Sequence, residues 1–142
     1  MFFGEFEYKI DEKGRVPIPP KFRGLLKAGV VLAPGVEGCI IVYPLTEWQK
    51  LADSLTAGSI SPSKLRMLNR AVFATAYYLK IDAQGRIALP APLKLHAEIV
   101  NEVVIIGANS YLELWNKVRW EEEKAMDQEQ AWQLLEGVEK RP

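Results

Sequence analysis

The chain has 142 residues, with 18 Lys and Arg against 18 Asp and Glu, so its formal net charge is zero with its one histidine neutral. That balance argues against a uniformly basic nucleic-acid coat, a polybasic membrane tether or an acidic solvating tail, while leaving room for a local patch. At 49% hydrophobic and 25% charged, the composition is that of a globular protein of one domain or two small related halves. No apolar run approaches the roughly 20 residues of a membrane span. The start, Met1-Phe2-Phe3-Gly4-Glu5, lacks the features of a signal peptide, so a cytoplasmic location is expected.

From Glu5 to Ile10 the residues alternate, with Phe6, Tyr8 and Ile10 on one face and Glu5, Glu7 and Lys9 on the other, the pattern of a half-buried strand. Asp11-Glu12-Lys13-Gly14 then reads as a turn, because Asp bonds the backbone two residues on and Gly accepts positive φ. Beyond it Val16 and Ile18 alternate with Arg15 and Pro17, so an inward Val16 leaves Arg15 facing out. Pro19 and Pro20 favour a short helix through Phe22, Leu25 and Leu26, stopped by Gly29. Strands are predicted over 30–33 and 39–43. A helix follows, with Thr46 and Gln49 as a capping box and Trp48, Leu51, Ala52 and Leu55 on one face. Ser61 and Pro62 open a linking helix carrying Leu65, Leu68 and Val72. Further strands are predicted over 103–106 and 111–115. A terminal helix from about Lys117 to Glu136, with a break near Asp127, precedes a frayed end at 139–142.

The order of these elements is written twice. Ile10-Asp11-Glu12-Lys13-Gly14-Arg15-Val16-Pro17-Ile18-Pro19 recurs 71 residues later as Ile81-Asp82-Ala83-Gln84-Gly85-Arg86-Ile87-Ala88-Leu89-Pro90. The stretch from Cys39 to Trp48 matches that from Tyr111 to Trp120 at an offset of 72. A motif, an apolar strand and a tryptophan return in the same order, which marks a duplicated α+β unit.

The paired arginines Arg15 and Arg86 are the leading candidate for chemistry. Each follows a Gly turn in the company of other cations: Lys9, Lys13, Lys21 and Arg23 near the first copy, Lys80 and Lys94 near the second. A guanidinium fork can donate two bonds to guanine or grip a phosphate, and a β-hairpin is narrow enough to enter the major groove. The bland alternative is that Arg15 and Arg86 only pair with Asp11 and Asp82 to stiffen the turns. Charge is sorted in favour of the first reading: residues 1–27 hold six basic and four acidic groups, residues 58–100 six and two, and residues 113–142 five and eight.

Other chemistries are weakly supported. Neither G-x-x-x-x-G-K-[ST] nor G-x-G-x-x-G occurs, which disfavours a nucleotide site. Carboxylates such as Asp11 with Asp82 have no marked nucleophile to serve. Trp48, Trp115 and Trp120 could stack bases but sit where core residues sit. Cys39 is the only cysteine and His96 the only histidine. An internal disulfide and a Cys/His zinc site are therefore impossible within one chain. Cys39 reads as a buried hydrophobe and His96 as a helix-surface residue, so neither a catalytic residue, a cofactor nor a metal is predicted.

The opening Met1-Phe2-x-Gly4-Glu5, the motif Asp11-x-Lys13-Gly14-Arg15 with Pro19 and Lys21-Phe22-Arg23, Tyr43-Pro44-x-x-x-Trp48, Asp82-x-Gln84-Gly85-Arg86-Ile87 with Leu89-Pro90, and Leu112-Glu113-Leu114-Trp115 together resemble the MraZ family of bacterial transcriptional regulators. The resemblance covers about residues 1–120. It implies two tandem swapped-hairpin units of the AbrB class, at 1–58 and 77–120, forming one pseudo-twofold β-barrel-type core. Residues 59–76 would be a linking helix and 121–142 a C-terminal helix and tail. It further implies no enzymatic activity, a ring-like homo-oligomer (octamer or dodecamer), association with the nucleoid, and repression of a division and cell-wall gene cluster through repeated double-stranded DNA sites, its own promoter included. The family's D-x-x-x-R contacts map onto Asp11 with Arg15 and Asp82 with Arg86, with Gly14 and Gly85 shaping the turns. Gln84 stands where the first copy has Lys13, so the first loop is expected to attract phosphate more strongly. A structural protein whose arginine loops bind an acidic protein partner is the competing reading.

Overall fold

The alternation in Glu5–Lys9 (β1) turns Phe6 and Tyr8 toward the core and leaves Glu5 and Glu7 on the opposite face. The other strands of its sheet are Val30–Pro34 (β3), Ile40–Pro44 (β4), Tyr77–Leu79 (β5), Glu102–Gly107 (β7) and Leu112–Trp115 (β8); β3 and β7 carry unbroken buried runs, Val30 to Ala33 and Val103 to Ile105, because both faces of the sheet are covered there. These six strands form one antiparallel sheet in the order β1-β7-β8-β4-β3-β5. The structure, a computed structural model, describes residues 1–140. Two three-residue strands, Arg15–Pro17 (β2) and Arg86–Ala88 (β6), pair only with each other as a separate antiparallel ribbon.

The repeat explains this order. It maps β1 onto β5, β2 onto β6, β3 onto β7 and β4 onto β8, so the sheet order reads the same from either end. Residues that pair with their own counterparts mark an approximate twofold axis: Ile41 faces Glu113 between β4 and β8, and Val16 faces Ile87 between β2 and β6. The halves interleave, because β1 pairs with β7 and β5 with β3. The expected barrel-type core is corrected here: β1 and β5 each have one neighbour, and the sheet stays open. The ribbon that would continue it is cut short by proline, which donates no ladder bond, at Pro17, Pro19 and Pro90.

One core lies between the sheet and the ribbon. Val16, Ile18, Ile87 and Leu89 from the ribbon meet Leu32, Val42, Ile105 and Leu114 from the sheet, all buried. Ala91–Ala97 (α3) closes one side with Leu93 and Ala97. Its counterpart, expected as a single helix through Leu26, is two 3-10 turns, Pro20–Phe22 and Gly24–Leu26. Gly24 weakens helix propagation there, whereas the second copy has Leu95 at the matching position and forms a regular helix. On the far face Cys39, Val104 and Trp115 form a second, smaller core.

That far face is covered by helices. Leu45–Ala57 (α1) and Pro62–Phe73 (α2) lie at one end, with Trp48 tilted on Tyr43 (5.3 Å) and edge-on to Phe73 (5.3 Å). The capping box is corrected: α1 begins at Leu45 with Pro44 as its cap position, so Thr46 already lies inside the first turn. Ser61 occupies the cap position of α2 but its side chain makes no capping bond. Lys117–Glu139 (α4) covers the other end as one unbroken helix through Asp127, capped by Asn116, whose side chain accepts the Arg119 N–H at 3.1 Å. Its first turns are tied to β1: Trp120 Nε1 donates to Glu5 (2.9 Å), Lys124 pairs with Glu5 (3.3 Å) and Lys117 with Glu7 (3.3 Å). Glu139 belongs to this helix rather than to a frayed end, and 141–142 lie outside the described residues. No helix among the described residues is long and apolar enough to cross a membrane.

Cys39 is fully buried, and burial, reinforced by the Glu113 and Glu37 charges, pushes its thiol up to about 12. Such a shift leaves roughly a thousandfold less thiolate than an ordinary cysteine carries at mildly alkaline pH. We therefore expect the native thiol to resist an aromatic disulfide reagent that labels it readily in denaturing urea. Equal labelling rates in the two conditions would contradict the burial. His96 is exposed on α3, and its Nε2 donates to the Gly35 carbonyl at 2.9 Å.

Candidate nucleic-acid interface

The two D-x-x-G-R segments fold identically. The Asp11 carboxylate accepts the Lys13 and Arg15 N–H groups through Oδ1 (both 2.9 Å), and Asp82 does the same for Gln84 and Arg86 (both 2.9 Å). The backbone closes each turn with Gly14 N–H to Asp11 O and Gly85 N–H to Asp82 O (both 3.0 Å). Gly14 and Gly85 adopt φ +73° and +79°, the left-handed region that favours glycine. These bonds favour the ionised carboxylates. The Arg15 N–H, then the Arg15 side chain and the Lys13 N–H, hold the Asp11 carboxyl below its usual range, and the Arg86 and Gln84 N–H groups do so for Asp82. A lowered carboxyl stabilises the fold above its ordinary pKa and loses that contribution as pH falls through the lowered value. The turns are therefore locked throughout the neutral range.

The antiparallel ribbon joins the two turns into one surface. Leu89 N–H donates to Gly14 O (2.9 Å) and Ile18 N–H to Gly85 O (2.8 Å), so each turn is tied to the other repeat's strand. Val16 and Ile87 point into the core, which directs Arg15, Pro17, Arg86 and Ala88 outward. Arg15 stands opposite Ala88 and Arg86 opposite Pro17, so each arginine has a small cross-strand neighbour and the two are diagonal to each other.

The pairing with aspartate foreseen as the bland alternative is present. Arg15 Nε binds Asp11 (2.8 Å) and Arg86 Nε binds Asp82 (3.2 Å). Arg86 also reaches across the ribbon to Asp11 (3.5 Å) and donates from Nη2 to Gln84 (3.2 Å). The Nη groups of Arg15 make no such bonds among the described residues. Lys13, which cannot accept as Gln84 does, leaves the first turn both more cationic and less self-satisfied.

The remaining candidates divide. Arg23 belongs to the second turn in space, although it was grouped with the first in sequence: its Nε donates to Ile18 O (2.9 Å), and its guanidinium packs against Gly85 where a Cβ would collide. Lys94 is its repeat counterpart and sits at the first turn, with Nζ 3.8 Å from where a Gly14 Cβ would be. Sequence proximity places Lys94 beside the second turn, whereas in space it stands at the first, just as Arg23 stands at the second. Lys21 is held over the rings of Phe3 (4.4 Å), Phe6 (4.9 Å) and Phe22 (5.1 Å). Lys9 is paired in register with Glu102 at the sheet edge, on the face away from the ribbon. Lys80 is exposed just before the second turn. Trp115 is buried, and Trp48 and Trp120 are half-buried in packing contacts rather than arrayed beside the ribbon.

The sequence profile of the family described as "MraZ protein, putative antitoxin-like" matches the chain twice, over residues 1–71 and 72–133. The chain belongs to the MraZ family. A relative from Dehalococcoides mccartyi, named transcriptional regulator MraZ, is 59% identical over 98% of this chain and 99% of its own length. One of the same name from Pediococcus pentosaceus is 44% identical over 86% of this chain and 85% of its own. A third, from Herpetosiphon aurantiacus, is 43% identical over 85% of each. The MraZ relatives are thus named as regulators and not as enzymes.

Proposed function

We propose that this chain is a sequence-specific DNA-binding transcriptional regulator. The observation that supports this best is the union of both D-x-x-G-R turns on one two-stranded ribbon, with Arg15 and Arg86 outward and small residues beside them. A two-stranded ribbon fits the major groove, where an arginine fork can read guanine. Lys13, Lys94, Arg23 and Lys80 supply charge for the phosphates on either side, while Lys9, on the far face, and Lys21, held over three rings, add only long-range attraction. The regulator represses the division and cell-wall gene cluster, its own promoter included, and works in the cytoplasm on the nucleoid. One ribbon carries few cations, so affinity is gained by assembly of several chains, an octameric or dodecameric ring, on repeated sites.

Fragments selected from genomic DNA by the purified chain, competed against scrambled duplexes of equal length, test the reading. Preference for the selected fragment by a factor of about a thousand or more is expected of a specific binder. Equal competition would contradict it and favour the acidic protein partner instead. Lys13→Ala is expected to weaken selected and scrambled duplexes alike and to lower the salt slope by about one. A loss confined to the selected duplex would mean that Lys13 reads bases.

A further inference from the structure

The repeat leaves the two halves unequal at one place. Trp48 on α1 and Trp120 on α4 are counterparts, 72 residues apart. Trp48 is covered by α2 through Phe73. Beside Trp120, α4 instead presents an open groove of about 280 Å³ lined by Trp120, Lys124, Asp127, Gln128, Ala131 and Trp132. Every residue of α4 from Lys124 onward is exposed, including Met126, Trp132, Leu134, Leu135 and Val138 at 45% or more. So much apolar surface on one helix, roughly 22 Å long from residue 125 on at 1.5 Å per residue, marks an interaction site.

Its charge says what covers it. Residues 125–139 hold Asp127, Glu129, Glu136 and Glu139 and no basic residue. Helix α2 is the complement: it holds Lys64, Arg66 and Arg70 and no acidic residue. Its half-buried side, Leu65, Leu68 and Val72, is turned inward, while Met67 is 64% exposed beside Arg66 and Arg70. The two surfaces belong to opposite ends of the sheet, since α2 leads into the edge strand β5 and α4 is tied to the edge strand β1.

We infer that the distal half of α4 docks on the outer face of α2 of a second copy of this chain, completing over Trp120 a helix cover like the one over Trp48. Acidic groups of one copy meet basic groups of the next around an apolar strip. The contact is heterologous, so each copy offers both halves and successive copies join head to tail, closing into a ring where the rotation allows. This rests on the homo-oligomer reading and assigns its surface.

Two variants and their mixture test it by light scattering on the full chain. Trp132→Asp with Leu135→Asp removes the α4 half, and Met67→Glu with Arg70→Glu removes the α2 half. All four residues are exposed, and unchanged circular dichroism and melting temperature verify folding. Each variant alone is expected to fall to single-chain mass, 16.0 kDa. Mixed in equal amounts they are expected to form pairs and nothing larger, because only one kind of junction survives. Retention of the parent mass by the α2 variant would overturn the inference in favour of α4 pairing with α4. Retention by both variants would assign α4 to a different protein, and a mixture that stays single-chain overturns the inference as well. A parent that is itself single-chain would refute the oligomer reading along with this one, whereas an oligomeric parent with unaffected variants refutes this one alone.

Discussion

Replacing Arg15 and Arg86 together by alanine is expected to abolish selective DNA binding while leaving the fold intact. Both side chains lie on the outer face of the ribbon, so the core formed by Val16 and Ile87 beneath them is untouched. A bidentate arginine contact to a base is worth about 1–3 kcal/mol, or roughly 5- to 150-fold in affinity. The single variants should not be equal. Among the described residues the Arg15 Nη groups make no hydrogen bonds, whereas Arg86 spends bonds on Asp11 and Gln84. Arg15→Ala is thus expected to cost more specificity, and Arg86→Ala to loosen the link between the turns. Because Asp11 touches both arginines, the double variant should depart from the sum of the singles. Removal of both also leaves Asp11 and Asp82 uncompensated toward phosphate, which deepens the loss. Arg15→Lys keeps the charge without the planar fork and should retain salt-dependent binding but not discrimination. Anisotropy titrations at fixed salt, with particle size followed in parallel, measure these effects. A double variant of parental size that still prefers the selected duplex would remove the arginines from the mechanism.

The largest effect on stability is expected from Phe22→Ala. Phe22 is 2% exposed and meets Phe2 and Phe6 edge-on, with ring centroids at 5.1 and 5.8 Å. A buried phenylalanine cut to alanine costs about 3–5 kcal/mol, a large share of the roughly 5–15 kcal/mol that holds a domain together. The consequence reaches the site, because Phe22 anchors the 3-10 turn that carries Arg23 to Gly85. Lys21 loses one of its three aromatic rings in the same step. Urea denaturation is expected to show the lowered midpoint, with Phe22→Leu keeping most of the stability. An unchanged midpoint for Phe22→Ala would mean that the aromatic cluster contributes little.

The parts legible in the sequence are those set by local rules. Strand alternation placed Phe6 and Tyr8 inward and Arg15 and Arg86 outward, and the D-x-x-G pattern located both turns, because each depends on neighbours a few residues away. The pairing of β1 with β7 was not legible, since nothing in Glu5–Lys9 names a partner about a hundred residues on. Arg23 and Lys94 each stand at the turn of the other repeat for the same reason: the ribbon crosses the halves, and sequence proximity does not. The Thr46 capping box failed because the helix starts two residues early, with Pro44 at the cap position. The terminal helix was expected to break at Asp127, but an exposed Asp costs a helix only a fraction of a kcal/mol. Glu5 and Glu7 read as a solvent face, and α4 uses them as anchors through Trp120, Lys117 and Lys124.

Both turns of one ribbon are expected to lie against the same DNA site. Lys13 and Gln84 are exposed at matching positions of the two turns, and Cys39 is buried, so a photocrosslinker can be carried on Lys13→Cys or Gln84→Cys without competition from the native thiol. Attachment at Gln133→Cys on α4 serves as the reference. Irradiation of each labelled chain on its selected duplex is predicted to crosslink DNA from positions 13 and 84 and not from 133. Absence of crosslinking from either 13 or 84, or crosslinking from 133, would contradict contact by both turns.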